Sequence, residues 1–471
     1  MNREELVRYF QKKRCTVIGL GVSNRPLIDF LLSLGASVTA RDQKTRERLG
    51  TLADELEAKG VSLFLGDNYL DGIEADLIFR SPGLRPDTPE LATAVKSGAV
   101  MTSEMELFLE LTPATVLGIT GSDGKTTTTT LTGLFLEEEC KRRKSGKVFV
   151  GGNIGHPLLS HVFEMTASDF AVLELSSFQL QTVRHSPTLS AVTNVTENHL
   201  NWHTGMEEYI EAKTNIFRHA PAHTLITNAE NEITRALGNT FEGKLTLFSS
   251  KKQARAEFEV PDSVDLVYEK SGTILYDNGE CHPVLDTARI LVPGRHNVEN
   301  FMTAIALTRS FVSPESVRAV ADRFTGVSHR LERVRVLDGV TYYNSSIDST
   351  PARTAAALSA LKERPIVICG GYDKHVSFDP LAAALCERAK AVILTGATAQ
   401  KIRDALNARP EVQAGSLPIY EVPLFADAVC RAREIAERGD TVLLSPACAS
   451  FDAFDDFAER GDTFRRLVNE F

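Results

Sequence analysis

The sequence of 471 residues lacks several features that define other classes of protein. It has seven cysteines but no Cys-x-x-Cys pair, so the pattern indicates neither a disulfide framework nor a structural zinc site. It also lacks an apolar run of membrane-spanning length and a signal-peptide-like apolar block after Met1. We therefore expect a cytoplasmic protein that does not insert into a membrane.

An excess of basic residues is also missing. The formal net charge is −10 at pH 7, which argues against non-specific binding of nucleic acid because such binding needs basic surface to displace counterions. An anionic substrate is still compatible with this charge, since backbone N–H groups and a few lysines can bind phosphate locally. With 43% hydrophobic and 24% charged residues, the chain has the composition of a globular protein.

Strand and helix patterns alternate along the chain and predict an α/β fold with three domains. Residues 1–98 contain an apolar strand followed by a glycine turn, which is typical of a Rossmann-like domain. Residues 99–326 are predicted to form a central P-loop ATPase-type domain with a mixed or parallel sheet, in which the polar stretch 222–290 holds lesser strands and loops. Residues 327–471 repeat the alternation and predict a second Rossmann-like domain.

The segment GITGSDGKTTTTTL, residues 118–131, has the residue types of a phosphate-binding loop at an unusual spacing. Asp123 stands where the standard spacing, counted from the first glycine of the segment, requires a glycine. The remaining glycines let backbone amides approach phosphates closely, and the following helix adds its dipole. Lys125 would then face the β- and γ-phosphates, and Thr126 would ligate Mg²⁺. The segment therefore predicts a nucleoside triphosphate site, with a plain glycine turn as the alternative.

Further polar residues follow the next predicted strands, at the ends where parallel strands form sites. Glu174 ends the apolar run AVLEL, and His199 lies in NVTENHLNWH. Phosphoryl transfer needs carboxylates or similar metal ligands beyond the loop. Considered singly, however, such residues are more often a solvated charge and a loop histidine, so the residues alone leave the metal ligands open.

Ordered motifs across essentially the whole chain resemble those of the Mur ligase family of peptidoglycan synthesis. They are GITGSDGKTTTTTL, GGNIGHP, ELSSFQL, NVTENHLNWH, EAKTNIF, PGRHNVEN, SHRLE and LLSPACASFDAFDDFAERG. Within the family, ELSSFQL and LSPACASFD are most similar to the members that add D-glutamate to UDP-N-acetylmuramoyl-L-alanine. The resemblance implies that ATP phosphorylates a substrate carboxylate to an acyl phosphate, which the amine of the incoming amino acid then attacks.

The resemblance also implies a catalytic centre around two Mg²⁺ ions. Lys213 would react with carbon dioxide to form a carbamate, which requires a lysine of lowered pKa in a sheltered site; without the resemblance, it is interpreted as an exposed helix lysine. The implied catalytic residues are Lys125, His199 and Lys213, and the implied metal ligands are Thr126, Glu174, His199 and Lys213. The implied ATP-binding residues are Gly121, Ser122, Asp123, Gly124, Lys125, Thr126, Thr127, Asn297, Asn300 and Arg330.

The outer domains would bind the other two substrates. The turn GLGVSN is a weak dinucleotide fingerprint because Asn24 replaces its third glycine, and the resemblance implies instead a site for the uridine diphosphate end of UDP-N-acetylmuramoyl-L-alanine in residues 1–98. The implied residues for this substrate are Val22, Ser23, Asp42, Gln43, Lys44, Ser81, Gly83, Asn153, Ser176 and Gln179, the last three of which could equally be turn and helix-cap residues. Those for D-glutamate, in residues 327–471, are Lys374, Ser450 and Phe457.

The segment NSSIDSTPART, residues 344–354, departs from the N-D-S-K-A-T-N pattern that many D-glutamate-adding members carry. Ser345 and Ile347 replace its aspartate and lysine, and Asp348 appears one position later. This departure leaves open a sister Mur or folylpolyglutamate-type ligase that adds another amino acid. A nucleotide-binding regulatory or scaffold protein with a degenerate site is the remaining alternative. In each case we expect a monomer.

Overall fold

The structure is a computed structural model that describes residues 3–374, 376–413 and 415–471. The chain divides into two compact units. The first comprises the described residues up to Thr287 together with Val298–Val320, and the second comprises Ala288–Asn297 with Ala321–Phe471. The N-terminal and central sheets lie in the first unit, and the C-terminal sheet lies in the second.

The N-terminal sheet is parallel throughout its described strands. The strands are β1 (Arg14–Ile18), β2 (Ser37–Asp42), β3 (Ser62–Leu65), β4 (Leu77–Arg80) and β5 (Val100–Thr102). The helices are α1 (Arg3–Phe10), α2 (Asn24–Ser33), α3 (Arg46–Leu49), α4 (Thr51–Ala58), α5 (Pro89–Lys96) and α6 (Glu104–Leu111). The strand order is β3–β2–β1–β4–β5. The chain therefore changes winding direction between β1 and β4, which brings together the turns that follow these two strands.

The central sheet continues the α/β alternation and adds an antiparallel edge. Its strands are β6 (Thr115–Thr120), β7 (Val148–Gly152), β8 (Phe170–Glu174), β9 (Leu189–Val192), β10 (Thr224–Asn228), β11 (Lys244–Ser249), β12 (Asp265–Lys270), β13 (Thr273–Asp277) and β14 (Cys281–Asp286). The helices along this part of the chain are α7 (Lys125–Arg143), α8 (Ser177–Leu180), α9 (Met206–Arg218), α10 (Glu232–Asn239), α11 (Arg295–Thr308) and α12 (Pro314–Ala321). The short 3-10 helices are Leu159–Glu164, Arg255–Phe258 and Thr287–Arg289. The strand order β14–β13–β12–β11–β10–β9–β6–β8–β7 places β6 between β8 and β9, so their carboxyl ends meet at one edge.

The polar stretch 222–290 contributes more to this sheet than the sequence indicates. Strands β10–β14 all lie in it and form the side of the sheet beyond β9. The pairs β12–β13 and β13–β14 are antiparallel, so they need no crossover helix, and their outward-facing polar residues interrupt the apolar pattern. The sequence therefore underestimates how much of the central sheet this stretch forms, whereas the predicted mixed sheet is confirmed.

The C-terminal sheet belongs to the second unit. Its strands are β15 (Glu332–Leu337), β16 (Val340–Asn344), β17 (Ile366–Cys369), β18 (Ala391–Leu394), β19 (Ile419–Glu421) and β20 (Thr441–Leu444). The helices are α13 (Pro351–Ala360), α14 (Asp379–Arg388), α15 (Ala399–Asn407), α16 (Pro410–Gln413), α17 (Phe425–Ile435) and α18 (Phe457–Glu470). The order is β15–β16–β20–β17–β18–β19, parallel except for the pair β15–β16. This is the doubly wound pattern that the sequence predicts.

The predicted fold class, an α/β chain with two Rossmann-like domains flanking a P-loop-type domain, is thus confirmed. The domain boundaries at residues 98 and 326 stay predictions, and β5 continues the first sheet to Thr102. Within the described part of the chain, no helix is both long enough and apolar enough to cross a bilayer.

Glu104, the first residue of α6, is a buried carboxyl that should make stability depend on pH. Among the described residues, its Oε1 atom has no hydrogen-bond partner. Burial raises the pKa of Glu104 from 4.5 to about 7, against a backbone hydrogen bond at Leu159. Because the folded pKa lies above the unfolded one, this carboxyl stabilises the fold below the unfolded pKa and loses that contribution as the pH rises through the folded pKa.

We therefore expect Glu104→Gln to be more stable than the wild type at high pH. The amide cannot ionise, so the variant should gain roughly 2–3 kcal/mol of unfolding free energy at about pH 8. The gain should vanish at about pH 4, where the wild-type carboxyl is protonated in both states. Thermal unfolding of both proteins at the two pH values measures this difference. An equal difference at both pH values would contradict the assignment.

Candidate active site

The connection between β6 and α7 is a tight glycine loop of residues 121–124. Gly121 has φ 148° and Gly124 has φ 79°, a region that side-chain-bearing residues rarely adopt. A Cβ atom on Gly121 would lie 1.9 Å from Thr193 Oγ1, and one on Gly124 would lie 2.4 Å from Asn300 Oδ1. Glycine is therefore required at both positions, because a side chain there would collide with Thr193 or Asn300.

Asp123, at the unusual position of the motif, is held by residues that follow β9. Its N–H donates to Asn194 Oδ1 (2.9 Å), and its carbonyl accepts from Thr193 Oγ1 (2.6 Å). Asp123 does not adopt a positive φ, so the loop does not need a glycine there. The Ser122 hydroxyl lies 3.0 Å from the Tyr209 hydroxyl and also donates to Thr196 O at 3.0 Å. The departure from the standard spacing thus leaves a well-braced loop.

Lys125 begins α7 and folds over the loop. Its Nζ atom donates to Gly121 O (3.0 Å) and to Ser122 O (2.9 Å). The threonines that follow are mostly buried, and Thr128 Oγ1 donates to Asn300 Oδ1 at 3.3 Å. Packing against the rest of the first unit therefore stabilises this threonine-rich helix, whose intrinsic helix propensity is poor.

Glu174 ends β8 beside the loop strand and is 2% exposed. Its Oε1 atom accepts from Asn153 Nδ2 at 2.8 Å. Its Oε2 atom is buried and has no hydrogen-bond partner among the residues that the structure describes. A buried carboxylate oxygen without a partner costs free energy. This arrangement therefore fits a bound divalent cation.

Lys213 lies on α9 and is 1% exposed. Its Nζ atom donates to Gly121 O at 2.8 Å and lies 4.5 Å from the centroid of the Tyr209 ring. Burial and, secondly, the charge of Lys125 lower the pKa of Lys213 well below its ordinary value, against the opposing charges of Asp123 and Glu174. The interpretation as an exposed helix lysine is wrong. The site is of the sheltered, pKa-lowering kind that a lysine carbamate requires.

His199 lies in the loop after β9 with φ 56°, a strained conformation for a residue other than glycine. Its ring packs against Phe178, with the ring centroids 4.9 Å apart. Partial burial lowers the pKa of His199, and the charges of Lys125 and Lys213 lower it further. The neutral imidazole, which is the metal-binding form, is thereby favoured. The structure thus brings the three predicted catalytic residues into one electrostatic neighbourhood.

Ser176 and Gln179, predicted to contact substrate, form a capping box at the start of α8. The N–H of Gln179 donates to Ser176 Oγ (3.3 Å), and the N–H of Ser176 donates to Gln179 Oε1 (3.0 Å). The helix-cap role that the sequence left open is therefore present. A role of these residues and of Asn153 in substrate binding stays a prediction.

The first sheet brings together the two turns predicted to hold uridine diphosphate. A Cβ atom on Gly19, which has φ 86°, would lie 2.8 Å from Ser81 Cβ. Asn24 Nδ2 donates to Gly19 O (2.8 Å) and Ile18 O (3.1 Å), so an amide secures the turn in place of the third glycine. Asp42 is buried, and its Oδ2 atom accepts from Leu20 N at 2.6 Å. The remaining predicted side chains here, of Val22, Gln43 and Lys44, are exposed, and Ser23 is half-buried.

Two of the residues predicted for D-glutamate, Lys374 and Phe457, adjoin the segment that departs from the family pattern. Lys374 Nζ donates to Ser349 Oγ at 3.3 Å, and Ser346 Oγ donates to Phe457 O at 2.8 Å. Asp348 accepts a hydrogen bond from the Ser445 hydroxyl (2.8 Å), and burial raises the pKa of Asp348 to about 6. The segment that departs from the family pattern therefore lies beside residues predicted to bind D-glutamate.

Other predicted residues are placed as follows within their own units. Ser450 is buried in the second unit. Arg330 precedes β15, and its charge lowers the pKa of Asp348, against the larger effect of burial. On α11, Asn297 Nδ2 donates to Pro293 O at 2.6 Å, and Asn300 lies against the glycine loop.

Sequence reasoning missed a polar network beside His199. Arg85 pairs with Glu208 at 3.0 Å between Nη2 and Oε1, and Trp202 Nε1 donates to Gly83 O at 3.2 Å. Trp202 is the only tryptophan of the chain and lies inside the motif NVTENHLNWH. It was the one sequence feature that could have pointed to this network. Nothing in the sequence around Arg85 points to its partners.

The sheet topology and the glycine loop 121–124 are those expected of a nucleotide-dependent α/β enzyme of the P-loop class. The buried carboxylate of Glu174, whose Oε2 atom has no hydrogen-bond partner among the described residues, fits such a site. Comparison with known proteins gives a closer assignment. Residues 13–103 match the Mur ligase MurD-like N-terminal domain, residues 119–308 the Mur ligase middle domain, and residues 329–448 the Mur ligase glutamate ligase domain.

Full-length relatives agree with these domains. The chain is 44% identical over 467 residues to a UDP-N-acetylmuramoylalanine–D-glutamate ligase of Clostridium novyi (strain NT), covering 99% of this chain and 98% of the relative. It is 45% identical over 464 residues to the ligase of the same name from Clostridium botulinum (strain Alaska E43 / Type E3), covering 98% of both. The chain therefore belongs to the Mur ligase family.

A solved structure of a pseudomurein peptide ligase type C from Methanothermus fervidus has the same fold. Its TM-score is 0.52 at 18% identity, and the match covers 98% of this chain and 100% of that chain. At this identity the likeness supports the fold alone. The family resemblance inferred from the ordered motifs is thus confirmed by the relatives and the fold class by the solved structure.

Proposed function

We propose that this chain is an ATP-dependent amide-bond ligase that adds D-glutamate to UDP-N-acetylmuramoyl-L-alanine during peptidoglycan precursor synthesis. The observation that carries the proposal is the 44% identity, over 99% of the chain, to a relative named for these substrates. The loop, carboxylate and buried lysine described above supply the groups that such chemistry needs.

The first step activates the substrate carboxylate. A carboxylate oxygen of the alanine end attacks the γ-phosphorus of ATP, the bond to the bridging oxygen breaks, and ADP leaves. The dipole at the start of α7 and the ammonium of Lys125 would balance the charge on the phosphates. The carboxyl carbon now carries a phosphate leaving group instead of an oxide.

The second step forms the amide. The amine nitrogen of D-glutamate attacks the acyl carbon, and the tetrahedral intermediate collapses with loss of phosphate and of the amine proton. Negative charge is concentrated on this intermediate, so fixed cations and N–H donors in the site lower the barrier. The balance is one ATP converted to ADP and phosphate for each amide formed.

The described residues fit the magnesium that this chemistry requires. The ligands would be the hydroxyl of Thr126, the neutral imidazole of His199 and the Oε2 atom of Glu174, which has no hydrogen-bond partner in the described part of the chain. Bound magnesium would neutralise charge on the β- and γ-phosphates. Within the described residues, no cluster of three or more His, Cys, Asp or Glu side chains is suited to a metal. A second ion therefore depends on an added acidic ligand, which a carbamate on Lys213 would provide.

The finer assignments extend this proposal to the outer parts of the chain. Val22, Ser23, Asp42, Gln43, Lys44, Ser81 and Gly83 would bind the uridine diphosphate end, and Asn153, Ser176 and Gln179 the rest of that substrate. Asn297, Asn300 and Arg330 would bind ATP with the loop, and Lys374, Ser450 and Phe457 would bind D-glutamate. We propose a cytoplasmic monomer.

A panel of amino acids tests the proposal directly. The protein is supplied with ATP, Mg²⁺ and UDP-N-acetylmuramoyl-L-alanine together with D-glutamate, L-glutamate, L-alanine or a diamino acid. We expect phosphate release and a new amide only with D-glutamate. Preference for another amino acid would replace the proposal with a sister ligase. Phosphate release that does not depend on the sugar acceptor, or none at all, would favour a regulatory or scaffold protein.

A further inference from the structure

Arg85 links the turn after β4 to the segment that carries His199. Its Nη1 atom donates to Trp202 O at 2.5 Å, and its guanidinium lies 5.1 Å from the centroid of the Trp202 ring. Its Nη2 atom pairs with Glu208 Oε1 at 3.0 Å. In return, Trp202 Nε1 donates to Gly83 O at 3.2 Å. Contacts thus run in both directions between the turn and this segment.

Arg80 makes a second link from the same turn. This buried side chain donates through Nη1 to Ser81 O and Pro82 O, both at 3.2 Å. Through Nη2 it donates to Phe178 O at 3.1 Å. The turn 81–83 is therefore bonded to α8, which follows the strand that ends in Glu174.

The bonds from Arg85 and Arg80 lead to segments that carry candidate residues of the metal site. These residues are His199, in the segment after β9, and Lys213, on α9. The carbonyl of His199 accepts from Trp202 N at 3.0 Å, and the Phe178 ring packs against both side chains, with centroid distances of 4.9 Å and 4.6 Å. Glu208 lies on α9, the helix of Lys213.

Glu208 ties the His199 segment to α9 as well. Its Oε2 atom accepts from Thr204 N at 2.6 Å, and its Oε1 atom accepts from Gln181 Nε2 at 2.8 Å. Burial opposes its charge, but the hydrogen bonds from Arg85 and Thr204 hold the pKa of Glu208 at about 2. The carboxylate therefore stays charged and paired throughout the working pH range.

We propose that Arg85 and Trp202 are positioning residues that couple ligand binding at turn 81–83 to the orientation of the His199 segment and α9. The proposal rests on the proposed function, which makes this turn part of the uridine diphosphate site. A ligand that binds the turn would affect the position of Gly83. The carbonyl of Gly83 also accepts the hydrogen bond from Trp202 Nε1. The strained backbone of His199 is held through that same tryptophan, so its orientation depends on the bridge.

The single tryptophan gives a direct readout, since Trp202 is the only such residue in the chain. UDP is titrated into the wild type without ATP, and binding is measured in parallel by calorimetry. We expect a saturable change in Trp202 emission with the calorimetric Kd. In Arg85→Ala, UDP should bind with Kd within about 3-fold of the wild type, while the emission change is mostly lost.

Steady-state kinetics separate positioning from a purely structural role. We expect Arg85→Ala to lower kcat about 10- to 100-fold with the KM for D-glutamate little changed, as for supporting residues of metal sites. Arg85→Lys keeps a positive charge for the ion pair but lacks the planar guanidinium with its several N–H donors. Its kcat should therefore lie between those of Arg85→Ala and the wild type. Trp202→Phe keeps the ring but not the bond to Gly83, and should also lower kcat. Arg218→Ala is the matched control, because Arg218 pairs with Glu211 on the same helix at 3.1 Å.

The outcomes distinguish this proposal from the proposed function. An unchanged wild-type emission at saturating UDP, or the same change in Arg85→Ala, would overturn the coupling even in an active enzyme. Unaltered kcat in both Arg85→Ala and Trp202→Phe would also overturn it. Failure of UDP to bind in calorimetry would remove the turn from the site and the coupling with it. Absence of ligation with D-glutamate, alongside a normal UDP response, would instead contradict the proposed function.

Discussion

Replacing Lys125 with alanine is expected to lower kcat for ATP-dependent ligation by about 10³-fold or more, as when a charge aimed at a transferring group is removed. Lys125 Nζ lies over the glycine loop, bonded to Gly121 O at 3.0 Å and Ser122 O at 2.9 Å. At this position the ammonium lies at the start of α7, beside the loop to which the triphosphate is assigned. Alanine removes the charge but keeps the start of α7 helical.

The control for this prediction is Lys141→Ala, near the other end of α7, where the side chain is exposed. We expect it to keep wild-type activity. Thermal unfolding of both variants shows whether the fold is retained. Full activity of Lys125→Ala would contradict the assignment of loop 121–126 to the triphosphate.

Replacing Lys213 with alanine is expected to lower kcat by at least about 100-fold, and a short carboxylate should restore part of it. The side chain is 1% exposed, and its pKa is lowered by burial and then by Lys125. The lowered pKa favours the neutral amine, which is the form that adds to carbon dioxide. The carbamate so formed is an anion, and acetate in the space left by alanine would supply a similar anion.

Rescue distinguishes the carbamate from a role in packing. Lys213 Nζ also donates to Gly121 O at 2.8 Å, so alanine disturbs the loop whether or not a carbamate forms. Acetate should raise the activity of Lys213→Ala, whereas chloride at the same ionic strength should not. Acetate should not rescue Lys125→Ala, which lacks a cation. Equal responses of the two variants to acetate would contradict the carbamate.

Strands β2 and β6 could be predicted closely because each is a short run with a clear end. The run TVLGIT coincides with β6, and SVTARD coincides with β2. The extent of the central sheet could not be predicted, since β12–β14 pair locally as antiparallel strands within a stretch of polar composition. Such strands give only a weak periodic signal.

The candidate site was only partly accessible from the sequence. Residue type and spacing identify the loop residues Gly121, Gly124 and Lys125. The burial of Lys213, by contrast, depends on where α9 packs. One signal was present: Lys213 falls on the helix face that carries Tyr209 and Ile216, both of which are buried. A lysine on an apolar face indicates either a satisfied core position or a functional one.

The bridge at Arg85 could not have been predicted at all. Its partners Trp202 and Glu208 are more than a hundred positions away along the chain, and no local pattern links them. The cap formed by Ser176 and Gln179 is the opposite case, because its spacing is local and readable. Short-range contacts follow from the sequence, whereas contacts between sheets follow only from the fold.

In the proposed reaction, the γ-phosphate of ATP passes to the substrate carboxylate before the amine attacks. Oxygen-18 in both carboxylate oxygens of UDP-N-acetylmuramoyl-L-alanine tests this most directly, with the released phosphate examined by mass spectrometry. We expect each phosphate to carry one oxygen-18 atom and the amide to keep the other. Phosphate free of the label, with its new oxygen taken from water, would contradict it.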